Sequence, residues 1–355
     1  MSFYQIKLTP IDAYFFGGEK HSKNMKNSSG FEMDYFVQSE LYPQQTTLLG
    51  VLRYYLLLQK GLLNPHKNEK TNEANELIGK ESFSYGYNED VVQNFEKIKK
   101  VSPLYFHKHD FYFKNKSQKY IIAPFGNEFL LTREYGNFKL DGYDAKKGYQ
   151  RALMNIQDNS TMKFFKDPDN KDDEEFIFIP HDIVGNKKGD KGKAEDDGFY
   201  KQTLYKLNKG WSFIFEAEIN CDMKDDWQFL TFGAEKQLFS FEISPIEEFT
   251  ELALKLAEKL LPAIFCISDS FVAETIWEHT AFAVNENASF RNLQSSNNSK
   301  NYSSFSSGYK RSKRYNLLKR GSVLFFETDD KRNAAKRLFK NTNAENIGFN
   351  TIQLI

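Results

Sequence analysis

The stretch Ser322–Leu354, SVLFFETDDKRNAAKRLFKNTNAENIGFNTIQL, decides the fold class of the C-terminal half. Ser322–Glu327 reads as a strand, Lys331–Lys340 as a strongly basic helix, and Gly348–Leu354 as a closing strand. Working back, Asn285–Lys310 is rich in Ser and Asn and reads as a long loop. Ala263–Ile267 is a short apolar strand candidate. Pro245 opens a predicted helix through Leu261, with Glu247, Glu248 and Glu251 where carboxylates suit the helix dipole. Leu238–Ile243 and Trp211–Ile219 (WSFIFEAEI) are strands, the second cleanly alternating. The half therefore runs strand, helix, strand, long loop, strand, helix, strand. That is the order of a ferredoxin-like or RNA-recognition-motif-type domain.

The N-terminal half offers an incomplete version of the same order. Phe3–Leu8 alternates as a strand, Pro10 ends it, and Phe15–Gly30 is a polar, glycine-bearing loop. Thr46–Lys60 is the strongest helix there, with Thr46 or Thr47 as cap, Pro43 before it and Gly61 after it. Ser102–Pro124 reads as a hairpin with arms Phe111–Phe113 and Tyr120–Ala123, joined by Lys114–Gln118. The reading is an α+β protein of two ferredoxin-like domains, 1–205 and 206–355, with a β-hairpin insertion and long loops.

The 355-residue chain has 48 Lys+Arg and 48 Asp+Glu, so its formal net charge is zero and a globally basic nucleic-acid binder is excluded. The charge is polarised, however. Arg291–Lys340 holds 13 basic and 3 acidic residues, while Lys166–Gly198 holds 11 acidic residues against 6 lysines. The acidic stretch, with its glycines, reads as loop around a short strand, Phe176–Pro180. A basic segment beside an acidic remainder suits a defined polyanion face, with acidic surfaces left for protein partners. It also suits a well-solvated surface. Aromatic residues make up 16% of the chain, which argues against disorder. Apolar runs fall short of the ~20 residues of a membrane helix, and two cysteines cannot build a disulfide framework. The expectation is a cytoplasmic protein without membrane contact.

Enzyme motifs are sparse. There is no phosphate-binding Walker loop, dinucleotide fingerprint or nucleophile elbow. His107, His109 and Asp110 could form a metal-dependent phosphodiesterase, although a strand would turn Asp110 from the two histidines. His21, between Lys20 and Lys23, or His109 could act as general base on an RNA 2′-hydroxyl, giving a metal-independent endoribonuclease. Binding features are richer. Gly308–Tyr315 (GYKRSKRY) interleaves Lys310, Arg311, Lys313 and Arg314 with tyrosines, as suits phosphates and unpaired bases of single-stranded RNA. Gly348-Phe349 could bring backbone N–H groups to a phosphate, or be an ordinary turn.

Five stretches in one order carry a family resemblance. LTPIDAYFFGGEK (Leu8–Lys20) resembles a Pro-x-Asp-x-x-Phe-Phe opening, and YPQQTTLLGVLRYYLL (Tyr42–Leu57) a Pro-x-x-Thr-x-x-Gly-x-Leu-Arg segment. FGAEKQLFSFEI (Phe232–Ile243) is similar to a Gly-Gly-Glu-Arg/Lys turn, with Ala234 where glycine is usual. Gly308–Glu327 resembles a late Gly-aromatic stretch followed by a Gly-Ser-Val strand, and Ile347–Leu354 a closing Gly-Phe strand. Together they resemble the third subunit of the Cmr module, the type III-B CRISPR effector, within the RAMP superfamily.

The resemblance implies two ferredoxin-like domains and a non-catalytic role, with no cofactor and no metal. The chain would cap the single-stranded 5′ handle of the guide RNA, beside the large polymerase-like subunit and a backbone RAMP subunit. Candidate contacts are Lys20, His21 and Lys23, then Gln44 and Gln45 to base edges, Thr46 and Thr47 to phosphates or as plain caps, and Arg53 as a phosphate clamp. Lys236 in the turn, Lys310, Arg311, Lys313, Arg314, Lys319 and Arg320 in the basic segment, and Gly348 with Phe349 complete the set.

Overall fold

Alternation along Ser2–Pro10 sets the first sheet, since Tyr4, Ile6 and Leu8 are buried while the residues between them are partly exposed. The computed structural model describes residues 2–17, 35–63, 71–85, 91–109, 117–124, 130–134, 137–141, 151–166, 176–188, 194–223, 226–233, 235–252, 261–295 and 309–355. In chain order these hold β1 (Ser2–Pro10), β2 (Phe16–Gly17), β3 (Tyr35–Glu40), α1 (Gln45–Gln59) and α2 (Asn72–Ile78). Next come β4 (Ile98–Val101), β5 (Tyr105–His109), β6 (Ser117–Ala123), β7 (Leu130–Glu134), β8 (Asn137–Asp141), β9 (Ala152–Asn155) and β10 (Thr161–Phe165). They are followed by β11 (Phe176–Lys188), β12 (Ala194–Leu207), β13 (Trp211–Ile219), β14 (Asp226–Phe232) and β15 (Gln237–Ile246). The last part holds β16 (Ala263–Cys266), α3 (Ile276–His279), β17 (Phe282–Val284), β18 (Asn287–Phe290), β19 (Leu293–Ser295) and β20 (Tyr309–Arg311). β21 (Tyr315–Leu318), β22 (Val323–Phe325), α4 (Asp329–Leu338), α5 (Thr342–Asn346) and β23 (Ile352–Leu354) close the chain.

One sheet of 13 strands runs β14-β15-β1-β13-β5-β6-β9-β10-β11-β12-β3-β2, with β4 beside β13. Ile6 of β1 faces Phe215 of β13 on one side and Ile243 of β15 on the other, both antiparallel. Helix α1 lies over this end. Its Leu48, Val51, Leu52, Tyr55 and Leu56 join Tyr4, Ile6 and Leu8 in one core, and Tyr55 stacks on Phe241 at 4.4 Å between centroids. Each such fully buried side chain contributes roughly 1.5–3 kcal/mol.

Strand β13 is buried on both faces. Phe213 and Phe215 point to the α1 side, while Ile214 joins Phe265, Val323 and Phe325 of a second sheet. That sheet has four antiparallel strands in the order β17-β22-β16-β23. Period-two alternation serves both its faces. Ala263 and Phe265 face the first sheet, whereas Ile264, Cys266 and Leu324 pack against Ala335 and Phe339 at α4. The result is a strand-rich α+β fold with few helices.

Several expectations change. Strands β13, β14 and β15 belong with β1, so the change of sheet falls between Ile246 and Ala263, not at residue 205. The predicted Pro245–Leu261 helix is not formed over its first part, because β15 runs through Ile246 with Pro245 opposite Tyr4. Among the described residues β14 pairs no further than Ile243, so Pro245 has a strand neighbour on one side only. That setting tolerates a residue with no N–H. Residues 253–260 lie outside the described set.

The expected hairpin pairs β5 with β6, His107 opposite Lys119, and the arm assigned to Phe111–Phe113 lies outside the described residues. Phe176–Pro180 is only the start of β11, which pairs with β12 from Phe178↔Leu207 to Lys188↔Ala194. Beyond the pairings with β10 at Phe176 and Phe178 and with β3 at Tyr200–Thr203, these strands form ladders only with each other among the described residues, and such a ribbon needs no buried face, so polar residues and glycine can run through it. Within Asn285–Lys310, β18, β19 and the start of β20 replace loop, and 296–308 are not described. Helix α5 adds to the predicted elements; Asn341 caps it by accepting from Ala344 N at 2.9 Å.

Candidate nucleic-acid interface

Strands β18 and β21, paired Phe290↔Tyr315, carry the segment that the sequence marks as cationic. Ser312 anchors it: its N–H donates to Asn292 O at 2.8 Å, and its Oγ accepts from Asn292 N at 3.1 Å. Lys313 and Arg314 then stand exposed. Arg314 Nε donates to Ser289 Oγ at 2.9 Å, and Lys313 Nζ lies 5.0 Å from the Tyr315 ring centroid. Tyr315 is half-buried and donates its hydroxyl to Tyr85 O at 2.6 Å. Beneath it, Tyr85 stacks on Phe271 at 4.0 Å, and Phe271 meets Phe290 and Phe349 edge-on. The tyrosine is thus part of an aromatic floor, and the two cations form its rim. Lys310 and Arg311 lie on β20, opposite Gln294 and Leu293.

Other predicted residues point inward. Gln45 is fully buried. Its Nε2 donates to Ser102 O and Ile347 O, both at 2.9 Å, and its Oε1 accepts from Leu104 N at 3.2 Å. No part of that amide is left for a base edge. Arg53 donates Nη2 to Glu81 O at 2.8 Å and sits 4.8 Å from the Phe95 centroid. Burial lowers it to about 10. It ties α1 to the chain after α2. Arg320 is buried with Nη2 3.3 Å from Asp269 Oδ2, its guanidinium 4.6 Å from the Tyr42 ring centroid. Phe349 lies in the aromatic cluster, and Gly348 is wedged against Gln45 and Ser102.

The remaining sites lie nearer the surface or outside the described set. Gln44, Thr46 and Thr47 are half-buried at the start of α1. Gln44, not a threonine, holds the cap position without a side-chain bond, and the first turn carries no acidic residue. Lys236 is exposed in a turn with φ +51°. Lys319 pairs through Nζ with Glu286 at 3.1 Å, and Arg151 pairs with the same carboxylate at 2.9 Å. Lys20, His21 and Lys23 are not among the described residues. Sequence reasoning missed Asp269, Arg151 and Glu286, which carry no motif spacing of their own.

His107 and His109 of the enzymatic readings lie with their ring centroids 6.5 Å apart but differ in burial. His109 is exposed at the end of β5, and Asp110 is not described. His107 is buried, with Nδ1 3.2 Å from Ser212 Oγ. Desolvation, helped by nearby Lys7, His109 and Lys119, lowers it from 6.5 to about 4. The native state therefore binds this proton more weakly than the unfolded chain. Its stabilising effect is full above about pH 6.5 and falls as pH drops toward about 4, by roughly 2–3 kcal/mol at most. Urea titrations at pH 7 and 4.5 should show that loss, and His107→Gln should flatten it. Among the described residues no three His, Cys, Asp or Glu side chains are grouped to hold a metal. No described helix is long and apolar enough to cross a membrane.

The motif stretches meet in pairs. A Cβ at Gly233, whose φ is +88°, would lie 2.8 Å from Phe15 O, and Phe16 meets Phe232 edge-on at 5.3 Å. The opening motif thus packs on the Gly-x-Glu-Lys turn. Gln45, Arg320 and Gly348 bring the other three together. The five stretches thus stitch together one strand-rich α+β fold. The family model described as CRISPR-associated protein (Cas_Cmr3) matches residues 132–355, and the chain belongs to that family. A chain from the cryo-EM structure of the Type III-B Cmr-beta bound to cognate target RNA and AMPPnP, state 1, has the same fold. It aligns with TM-score 0.51 and 12% identity over 98% of this chain and 96% of its own. A chain from Type III-B Cmr-beta bound to cognate target RNA aligns with TM-score 0.50, 12% identity and the same coverage. No curated protein sequence matches.

Proposed function

We propose that this chain is a non-catalytic subunit of a type III-B CRISPR interference complex, acting in antiviral defence in the cytoplasm. It binds and caps the 5′ repeat-derived handle of the guide RNA and joins the large polymerase-like subunit to backbone RAMP subunits. Family membership carries the reading. The exposed Lys313 and Arg314 over an aromatic floor support it, because a single strand is held by phosphate neutralisation and base stacking. The uncapped start of α1, free of acidic side chains, is a second place where an anion is tolerated.

The strand orders support two ferredoxin-like units. In the first, β15-β1-β13-β5 places the last strand beside the first and the third beside the second, with α1 between the first two in sequence. In the second, β23-β16-β22-β17 repeats that order with α4 before the last strand.

The purified chain incubated with labelled repeat RNA, with and without divalent metal, is expected to bind without cleaving. Cleavage that survives a chelator and is abolished by His21→Ala or His109→Ala would replace this reading with a metal-independent endoribonuclease. Charge reversal at Arg311, Lys313 and Arg314 should weaken guide retention equally for all spacers, since phosphate contacts carry no sequence information. The slope of log affinity against log salt should fall by about 0.7 for each phosphate no longer neutralised. Unchanged retention would place the RNA elsewhere.

A further inference from the structure

Strand β14 ends the large sheet, and among the described residues it pairs only with β15. Its outer edge therefore presents alternate backbone N–H and C=O groups without a strand partner. Proteins blunt such edges with lysine, proline or a bulge. Here the outward positions are instead Trp227, 57% exposed, and Phe229, 49% exposed, in edge contact at 4.8 Å. Leu238, opposite Thr231 on β15, extends the apolar surface at 44% exposure. The indole is fixed, because Trp227 Nε1 donates to Ser240 Oγ at 2.8 Å on the neighbouring strand. Its polar atom is thus satisfied within the chain, and what it offers outward is rigid apolar area. A pre-organised aromatic anchor loses little side-chain entropy on binding.

Charge decides between occupants. Asp222–Glu248 holds 7 acidic residues against 2 lysines. Asp222, Glu235, Glu247 and Glu248 are exposed, and Lys7, which shares the face of Trp227 across β15, is already paired with Glu242 at 3.1 Å. Aromatic side chains at alternate strand positions can stack on bases, but a base-stacking platform needs cations for the phosphates. This acidic hairpin repels a polyanion. We infer that the β14 edge, with Trp227 and Phe229, docks an extended, cation-bearing segment of another protein subunit, which adds a strand to the sheet. Main-chain bonds supply the affinity and the aromatic pair the anchor, while the carboxylates select lysine or arginine.

The inference rests on the chain's place in a multi-subunit complex, and not on which RNA it holds. It is tested by hydrogen exchange of the β14 amides and oxidative footprinting of Trp227. The samples are the full chain alone, the chain with repeat RNA alone, and the complex assembled with its other protein subunits. Exchange at β14 should slow at least about tenfold, and Trp227 oxidation should drop, in the protein complex only. Trp227→Ala with Phe229→Ala should weaken uptake into the complex about thirtyfold, as for truncated hot-spot aromatics, with repeat-RNA binding unchanged. Phe229→Ser alone, which keeps the Trp227–Ser240 bond, should act in the same direction. A complex that assembles with β14 unprotected overturns the inference alone. Protection by RNA alone assigns the platform to nucleic acid, and protection that rises with the concentration of the isolated chain assigns it to a second copy. Either outcome overturns it. A wild-type chain that enters no complex overturns the functional proposal as well.

Discussion

Gly348→Ala is expected to destabilise the chain by about 3 kcal/mol or more and to lower its melting temperature by roughly 5–15 °C. The glycine holds φ +86°, where a side chain is strained whatever space surrounds it. Space is also lacking: a Cβ there would lie 2.2 Å from Gln45 Nε2 and 2.5 Å from Ser102 O. Those two atoms are themselves hydrogen-bonded at 2.9 Å, so the methyl group would enter the middle of a buried bond. Moving Gln45 away would orphan Ser102 O, Ile347 O and Leu104 N together, and buried polar groups without partners are costly. The two effects share one cause and must be non-additive. Gly348→Ala should therefore cost markedly less in a Gln45→Ala background than alone, as read by differential scanning calorimetry. If the two add fully, the glycine is needed for its backbone angle and its closeness to the Ser102 backbone rather than for the Gln45 contact. If Gly348→Ala leaves stability intact and loosens RNA binding, the turn belongs to the RNA surface.

Gly348 marks the boundary between what the sequence made legible and what it hid. Period-two alternation in Ser2–Pro10 follows from burial of one face against a core, so that strand could be read directly; Trp211–Ile219 alternates in sequence although both its faces are buried. Helix α1 was equally clear, because its apolar residues recur at helical spacing. The β11–β12 ribbon was not, since hydrogen bonding between two partly solvated strands leaves no hydrophobic period. Pro245 with three following glutamates has the local chemistry of a helix start, yet pairing with β1 overrides it. The motif residues are the sharpest case. Glutamine, arginine and glycine suit both RNA contact and internal bonding, and spacing cannot distinguish the two. Only the fold brings Gln45, Arg320 and Gly348 to one interior point, while Lys313 and Arg314, a few residues from Arg320, stay outside. The acidic remainder outside the basic segment was legible from local charge counts. The two aromatic residues in its midst were not, because an apolar residue in a strand is ordinarily a buried one.

Asp269→Ala is expected to have an effect of similar or larger size, about 3–5 kcal/mol, because it removes one partner of a buried ion pair. Arg320 is 1% exposed at its side chain. It reaches Asp269 Oδ2 at 3.3 Å and Gln45 Oε1 at 3.4 Å, both through Nη2, while Nε and Nη1 find no hydrogen-bond partner among the described residues. The Tyr42 ring face offsets part of that cost. Without the carboxylate, a buried guanidinium would remain without its countercharge. Asp269 also accepts the Arg320 backbone N–H through Oδ1 at 2.9 Å and, through its own carbonyl, the Asn350 N–H at 3.2 Å. The pair thus fixes the turn before β22 and the turn before β23 to one point. Asp269→Asn can keep the Oδ1 acceptor while losing the charge, so it should fall between wild type and alanine. The decisive comparison adds Arg320→Met to Asp269→Ala, which removes the stranded charge and leaves an apolar stem of similar reach. That double variant should be more stable than Asp269→Ala alone in urea unfolding, with the m-value unchanged. If Arg320 instead served the RNA directly, Asp269→Ala would leave the unfolding midpoint in place and change guide affinity. The double variant would then gain no stability over the single one.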